Sequence, residues 1–272
     1  MVTRKTQAPR GMLRTAAADP GRIVHMRYHP SDALAGYVEH YWSVRWRLEG
    51  HAPHRAETLP HPSVHVVFEN GIGRIGGVAR GKFSRLLTGD GGVIAVKFIP
   101  GAFQPFLGAP MSTIAGKVIG LGDLWGAPGE ALGRAVSASD DDMQRIPLIE
   151  DFLLDRLPAP DDNVALVAKI VGTLMQDRTI VSVDDVVDRF GMGKRALQRL
   201  FAKYVGVNPK WVIQRYRLLE AAELLATDAS IQQSALALAL GYADQAHFVR
   251  DFKAMVGVSP AAYAKRARSP KA

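Results

Sequence analysis

The sequence predicts an α+β protein with two domains, in which a β-rich N-terminal sandwich or barrel with trailing helices precedes an all-α C-terminal domain. Residues 28–100 hold short segments of strand-like alternation, which Pro and Gly clusters separate. Helical periodicity follows, first over residues 143–157 and then continuously from residue 164. A Pro-Ala-Pro-Asp-Asp stretch at residues 158–162 lies between these helical regions and is the predicted linker.

These patterns divide the chain into four segments. Residues 1–21 carry scattered Arg and Lys without an apolar run, and we expect a disordered basic tail there. Residues 22–157 form the β-rich domain with its trailing helices. Residues 158–162 are the linker, and residues 163–268 are the helical domain.

The longest predicted strand covers residues 38–48, where two kinds of side chain alternate over eleven positions. The set expected to face the core is Val38, His40, Trp42, Val44, Trp46 and Leu48. Residues 63–69 and 92–99 predict further strands, with turns expected at the Gly-rich residues 71–77 and 89–92. In the trailing helix, residues at helical spacing are expected to be buried, namely Ile146, Ile149, Phe152, Leu153 and Leu157.

Composition narrows the class of protein. The 272 residues are 47% hydrophobic and 22% charged, as in folded soluble domains. The chain contains neither a run of eighteen apolar residues nor a secretory h-region, so we expect a cytoplasmic protein that does not associate with a membrane. The absence of cysteine excludes disulfides, thiolate nucleophiles and thiolate metal ligands.

Positive charge is concentrated at the C-terminal end. Residues 182–272 contain 14 Lys and Arg against 8 Asp and Glu, which gives a net +6 of the whole chain's +8. A basic domain indicates a polyanionic partner. Nucleic acid fits better than a membrane, because no basic helix here also has a bulky apolar face.

The same third of the chain repeats itself. The segment FAKYVGVNP at residues 201–209 resembles FKAMVGVSP at residues 252–260, with an offset of 51 residues. Two copies are too few for a solenoid and indicate a duplicated supersecondary unit.

The first copy predicts two short helices joined by a tight turn. Ser182 and Asp185 form a capping-box pattern, and the Gly-Met-Gly of residues 191–193 breaks the first helix. The apolar face of the second helix consists of Leu197, Leu200, Phe201 and Tyr204, and Gly206 ends it. The opposite face carries Arg195, Gln198 and Arg199. This arrangement is a helix-turn-helix, and exposed Arg and Gln suit the readout of base edges.

Asn208 and Pro209 then open a long helix that runs to about Leu225. A second helix-turn-helix follows, with its turn at residues 241–243 and its reading helix at residues 244–256. The candidate DNA-binding residues on the two reading helices are Lys194, Arg195, Gln198, Arg199, Gln245, His247, Arg250 and Lys253. Lys210, at the start of the long helix, is the candidate phosphate contact.

This region resembles the DNA-binding domain of the AraC/XylS family of bacterial transcription regulators. The resemblance rests on KRALQRLF at residues 194–201, GYADQAHFVRDFK at residues 241–253 and GVSP at residues 257–260, and it covers about residues 164–268. The resemblance implies a protein that reads two successive major-groove segments of double-stranded DNA in a sequence-specific way. It also implies RNA polymerase as a further partner and a location in the bacterial nucleoid. Val187, Gly193 and Gln232 depart from the usual family residues, which affects helix geometry rather than base reading.

The N-terminal half is similar, more weakly, to an uncharacterised domain found in front of this DNA-binding domain. The matching segments are PHPSVHVVF at residues 60–68, FIPGAF at residues 98–103 and LGDLWG at residues 121–126. Its position in front of the DNA-binding domain implies that it is a sensor or interaction domain. Through it, an unidentified small-molecule effector or partner would control the regulator. A homodimer through this half is compatible with the sequence, although no coiled-coil heptad indicates one. We predict no cofactor.

Two features suggest other chemistry. The histidines His51, His54, His61 and His65 lie near predicted strands, but neither a carboxylate at ligand spacing nor a thiolate accompanies them, so we predict no metal site. The segment GIGRIG at residues 71–76 contains a GxGxxG pattern, but no amphipathic helix follows, so a hairpin turn is the better interpretation. The stripe of Trp42 and Trp46 is expected in the core rather than around a ligand.

Two alternative functions remain open. The N-terminal half could be an enzyme domain fused to a DNA-binding module, although neither GxSxG nor HExxH occurs and we predict no enzyme. The chain could also be a non-specific architectural DNA binder. Such proteins rely on phosphate contacts and apolar wedges, whereas the predicted reading faces here are polar.

Overall fold

The computed structural model describes residues 4–5, 21–228 and 230–268. Its strands are β1 (Arg4–Lys5), β2 (Ile23–Tyr28), β3 (Val38–Leu48), β4 (His54–Thr58), β5 (His65–Glu69), β6 (Ile72–Gly76), β7 (Phe83–Leu87), β8 (Gly89–Phe98) and β9 (Val118–Gly120). Its α-helices are α1 (Gln104–Leu107), α2 (Leu121–Ser137), α3 (Asp142–Leu154), α4 (Asp162–Gln176), α5 (Val183–Phe190), α6 (Lys194–Tyr204), α7 (Pro209–Thr227), α8 (Gln233–Ala239), α9 (Gln245–Val256) and α10 (Pro260–Arg268). Over these ranges, no helix is both long and apolar enough to cross a membrane.

The predicted basic tail is described at Arg4–Lys5 and at Gly21. Arg4 and Lys5 form the short strand β1, which pairs with Tyr28 and Arg27 of β2 and so differs from the predicted disorder. The other residues of the predicted tail lie outside the described residues.

The N-terminal domain is built on one antiparallel sheet. Seven strands follow the order β1-β2-β3-β8-β5-β6-β9, and β4 pairs with β7 as a separate two-stranded sheet. Helices α2 and α3 pack on one face of the large sheet, while the β4–β7 pair packs on the other around Trp46, Leu48 and Leu87. The predicted α+β class with a β-rich N-terminal domain is confirmed, and its second β layer is this short pair.

Strand β3 buries both of its faces, which corrects the prediction of a single inner face. Tyr41 and Ser43, predicted on the outer face, are buried beneath α2 and α3. Ser43 tolerates burial because its hydroxyl donates a hydrogen bond of 2.5 Å to the Asp142 carboxylate. Trp46 is buried on the opposite face, as predicted for the core, and Trp42 packs partly buried against the same cluster.

The Gly-rich segment after β5 is a hairpin, as predicted, but its turn is shorter. Asn70 and Gly71 alone make the turn, with φ of 51° and 78°, and two positive φ values are typical of a type I′ hairpin turn. Strand β6 then passes through Gly73, where an added Cβ would lie 2.1 Å from Leu121 of α2. Strand β8 likewise begins at Gly89, so residues 89–92, predicted as a turn, are strand.

The junction between the two domains is compact. Helix α3 buries Ile146, Ile149 and Leu153 but ends at Leu154, so Leu157, predicted on its buried face, is exposed. The predicted linker, residues 158–162, lies between α3 and α4 except for its last residue, which already belongs to α4. Asp161 caps α4 by accepting a hydrogen bond of 2.9 Å from the backbone N–H of Asn163.

Helix α7 belongs to two hydrophobic cores. Its first half contributes Val212 and Ile213 to a cluster with α4, α5 and α6. Its second half contributes Leu218 and Leu225 to a cluster with α8, α9 and α10. Because both cores are anchored on one helix, α7 sets the position of the two helical units relative to each other.

The β-rich domain packs against the helical domain. Val78 and Ala102 of the β-rich domain lie in the core of the first helical unit, and Leu59 lies in the core of the second. In addition, Arg215 of α7 donates a hydrogen bond of 2.7 Å from Nε to the carbonyl of Pro60. The β-rich domain therefore contacts both units and the helix between them.

Candidate nucleic-acid interface

The first unit consists of α5 and α6, and a capping box defines the start of α5. The Asp185 N–H donates to Ser182 Oγ over 3.1 Å, and the Ser182 N–H donates to Asp185 Oδ2 over 2.8 Å. Gly191 ends α5 at φ 59°, in the left-handed region that glycine adopts readily. The predicted capping box and glycine turn are confirmed. Gly193 begins α6 without a side-chain cap, as its lack of a side chain requires.

Helix α6 has a buried and an exposed face. Leu197, Phe201 and Tyr204 are buried, and the four predicted reading residues, Lys194, Arg195, Gln198 and Arg199, are exposed. Lys194 donates a hydrogen bond of 3.0 Å to Asp184 of α5. In the part of the chain that the structure describes, Arg195, Gln198 and Arg199 make no side-chain hydrogen bond or ion pair. Their donors are therefore available to an external partner.

The second unit presents its candidate residues less uniformly. Asp244 caps α9 by accepting a hydrogen bond of 2.7 Å from the His247 N–H. Gln245, Arg250 and Lys253 are exposed. The His247 ring, in contrast, packs edge-on against Tyr242 with a centroid distance of 5.2 Å, and its Nε2 lies 3.4 Å from Asp251 Oδ2. His247 therefore contacts residues of the second helix-turn-helix unit and is less exposed than Gln245, Arg250 and Lys253.

The 51-residue offset makes α6 and α9 comparable position by position. Arg199 corresponds to Arg250, and both are exposed. Arg195 corresponds to Ala246, which is exposed, and Gln198 corresponds to Val249, which is partly buried. Ala246 was not among the predicted reading residues. The repeat offset is the sequence signal that places it at the position of Arg195.

Lys210 lies at the N-terminus of the linking helix. Asn208 Oδ1 accepts a hydrogen bond of 2.7 Å from the Trp211 N–H, so α7 begins at Pro209 as predicted. Lys210 is exposed, and within the described residues it makes no ion pair. A helix N-terminus carries a positive partial charge, which a neighbouring lysine reinforces, so this position suits a phosphate group.

The four histidines weighed as metal ligands are not brought together. His61 and His65 flank Lys97, whereas His51 is exposed near the end of β3 and His54 begins β4. Among the residues that the structure describes, no group of three or more His, Asp or Glu is arranged to hold a metal ion.

The histidines beside Lys97 give a testable pH dependence. Burial and then the charge of Lys97 lower the pKa of His65 to about 3 from its ordinary 6.5. Below pH 6.5 the unfolded chain binds more protons at this histidine than the folded chain, so folding stability falls as the pH decreases towards 3. We expect this histidine to cost about 2 kcal/mol of unfolding free energy between pH 7.5 and pH 5.

Urea unfolding of the full chain at pH 7.5, 6 and 5 measures this loss. His65→Asn should show a shallower decrease in stability than the unmodified protein. The matched variant His51→Asn, at an exposed position, should retain the original slope. An unchanged slope in His65→Asn would show that this histidine does not contribute to the pH dependence.

The chain thus has two helix-turn-helix units that are joined by one helix and follow a β-rich domain, and the second helix of each unit has an exposed polar face. This architecture defines a helix-turn-helix DNA-binding protein. Residues 186–266 match the family described as a helix-turn-helix domain, and residues 26–120 match a domain of unknown function, DUF6597. The probable transcription factor PqrA of Proteus vulgaris is 31% identical over 105 residues, which cover 38% of this chain and 84% of PqrA. The chain belongs to the AraC family of helix-turn-helix regulators.

Two further proteins are similar to part of this chain. The transcriptional activator AarP of Providencia stuartii is 39% identical over 83 residues, 30% of this chain and 61% of AarP. The chain thus spans less than two thirds of that relative. The crystal structure of a probable AraC family regulator from Rhodopseudomonas palustris is 24% identical, with a TM-score of 0.35, and covers 40% of this chain and 100% of that chain.

Proposed function

We propose that this protein is a sequence-specific regulator of transcription whose two helix-turn-helix units read successive major-groove segments of DNA. The observation that carries the proposal is the equivalent, exposed position of Arg199 and Arg250, opposite the buried Phe201 and Phe252. The β-rich domain receives the effector or partner signal and has no catalytic role. Action in the cytoplasm and contact with RNA polymerase belong to the same proposal.

The two units offer different chemistry to base edges. In the first unit, Arg195 and Arg199 can donate paired hydrogen bonds to guanine, and Gln198 can bind adenine. In the second unit, Arg250 can bind guanine, while Ala246 at the position of Arg195 suits the methyl group of thymine. The proposed DNA site is therefore an asymmetric pair of half-motifs.

Phosphate contacts add affinity without sequence preference. Lys210 at the start of α7 and Lys253 on α9 are exposed. In sequence, Lys210 follows α6 closely, and Lys253 lies three residues after Arg250. Each cation that neutralises a phosphate releases condensed counterions, so affinity should fall steeply as the salt concentration rises.

Binding-site selection from random duplex DNA tests the assignment of roles. Arg199→Ala and Gln198→Ala should change the selected consensus in the first half-motif only. Each lost bidentate contact should cost roughly 1–3 kcal/mol of discrimination. Lys210→Ala should keep the consensus, weaken binding to all sequences and reduce the dependence on salt by about one counterion.

A matched control is Arg134→Ala, which removes an exposed arginine from α2 in the β-rich domain. It should leave both consensus and affinity unchanged. If the unmodified protein and both reading-helix variants select the same consensus, this face of α6 does not read bases.

A further inference from the structure

The sheet face that β4 and β7 cover is apolar around Trp46 but polar at its other end, next to the helical domain. Lys97 of β8 pairs directly with His40 of β3 on one side and with His65 of β5 on the other. Cross-strand partners lie on the same face of a sheet, so these three side chains form one group. The neighbouring residues on β8, Val96 and Phe98, point to the opposite face and are buried beneath the helices.

A cavity of about 390 Å³ lies between this polar face and helix α7. The sheet side contributes His40, His61 and Lys97, and the helical side contributes Arg215, Tyr216 and Glu223. Its volume is within the range of small-molecule sites, roughly 300–1,000 Å³. The cavity therefore has room for a small metabolite, in contact with both domains.

Most charges that line the cavity are already compensated within the protein. Lys97 Nζ lies 3.0 Å from Glu39 Oε1 and 3.2 Å from His61 Nε2. The Glu220 carboxylate is shared by Arg217 at 2.8 Å and Arg178 at 3.4 Å. These acidic groups are thus occupied by other cations.

Arg215 is different, because it is buried and no carboxylate of the described residues lies within ion-pair distance of it. The residue is 2% exposed, and its Nε donates to the Pro60 carbonyl. Among the described residues, its two terminal nitrogens make no hydrogen bond and no ion pair, and Glu223 is not within ion-pair distance. The Arg215 guanidinium lies over the Tyr216 ring, 4.7 Å from its centroid, and Glu223 favours the charged form of Arg215 from beyond ion-pair distance. A guanidinium keeps its proton, and neither of these interactions gives its terminal N–H groups a direct acceptor. An anion in the cavity would supply the missing partner.

We propose that this cavity binds a small polar anion, a metabolite with a carboxylate or phosphate group, which pairs with the guanidinium of Arg215. The rim of His40, His61 and Tyr216 offers hydrogen-bonding groups for the rest of the molecule. The charged lining disfavours a long apolar chain. If the proposed function holds, the anion is the effector, since α7 carries both reading units and forms one wall of its site.

Thermal unfolding of the full chain without DNA tests the binding. The probes are sodium phosphate and sodium succinate at 10 mM, compared with sodium chloride at equal ionic strength and with glycerol. We expect at least one anion to raise the Tm by about 5 °C, as for a ligand near 100 times its Kd. The probe with the larger shift indicates whether the site prefers phosphate or carboxylate.

Arg215→Gln should abolish the shift, whereas Arg134→Gln, at an exposed arginine of α2, should retain it. If Arg215→Gln does not fold, Arg215→Lys, which keeps the charge but loses the planar fork, should show a reduced shift. The proposal is overturned if neither anion exceeds chloride, or if the shift persists unchanged in the Arg215 variants. Arg199→Ala should keep the full shift, so a failure of anion binding is distinguishable from a failure of DNA reading.

Discussion

Inserting five base pairs between the two half-motifs is expected to remove most of the specific affinity of one protein molecule for its site. Five base pairs are about half a turn of DNA, so the insertion places the two major-groove segments on opposite faces of the duplex. Affinity should fall towards the non-specific level, a loss of roughly 10³-fold or more.

The reason lies in helix α7. Its 19 residues extend over about 28 Å at 1.5 Å per residue, and it is packed into the cores of both units along its length. A spacer of this kind cannot stretch or rotate to follow a displaced half-motif. Footprinting and a binding titration on the native and extended sites measure the effect.

The matched control inserts the same five base pairs just outside the two half-motifs, which should leave affinity unchanged. If binding is indifferent to the internal insertion, or if only one groove segment is protected, a single unit reads DNA and the other has a structural role.

The largest expected effect on stability is that of Phe252→Ala. Phe252 is fully buried in the second core, in ring contact with Phe248 at 5.7 Å and Tyr263 at 5.8 Å. Truncation of a buried phenylalanine leaves a cavity and typically costs about 3–5 kcal/mol of unfolding free energy. Urea unfolding of the full chain should show a loss of this size.

Phe83→Ala is the matched control, since the Phe83 side chain in β7 is 55% exposed. It should change the free energy of unfolding by about 0.5 kcal/mol or less. Under the proposed function, Phe252→Ala should also weaken protection of the second half-motif while the first stays protected. Equal losses for the two variants would mean that the second unit does not depend on this core.

Much of the helical domain was predictable because its signals are local. A capping box, glycines after helix ends and an Asn-Pro start act within a few residues of each helix terminus, and the structure has the corresponding helices close to the predicted bounds. The apolar stripes of α6 and α9 likewise follow from helical spacing, and the 51-residue repeat relates them to each other.

The β-rich domain was less predictable, because strand burial depends on what packs on each face. Residues 38–48 alternate, yet Tyr41 and Ser43 are buried as well as Trp46 and Leu48, since different elements cover the two faces. The glycines of β6 and β8 were predicted to lie in turns, because the sequence does not show which strands pair with these segments. At Gly73 an added Cβ would lie 2.1 Å from Cδ1 of Leu121, a residue far away in sequence, so a larger residue there would displace that side chain.

The sequence by itself determined the two-domain order, the duplicated helix-turn-helix and the composition of each exposed helix face, because these depend on spacing within single elements. The tertiary structure alone decided that His40, His65 and Lys97 are neighbours, since strand β8 pairs between β3 and β5. It also decided that Arg215 is buried beside Pro60 without a carboxylate partner among the described residues. Contacts between residues more than a hundred positions apart leave no periodic trace in a chain, so the cavity between the domains becomes visible only in the folded protein.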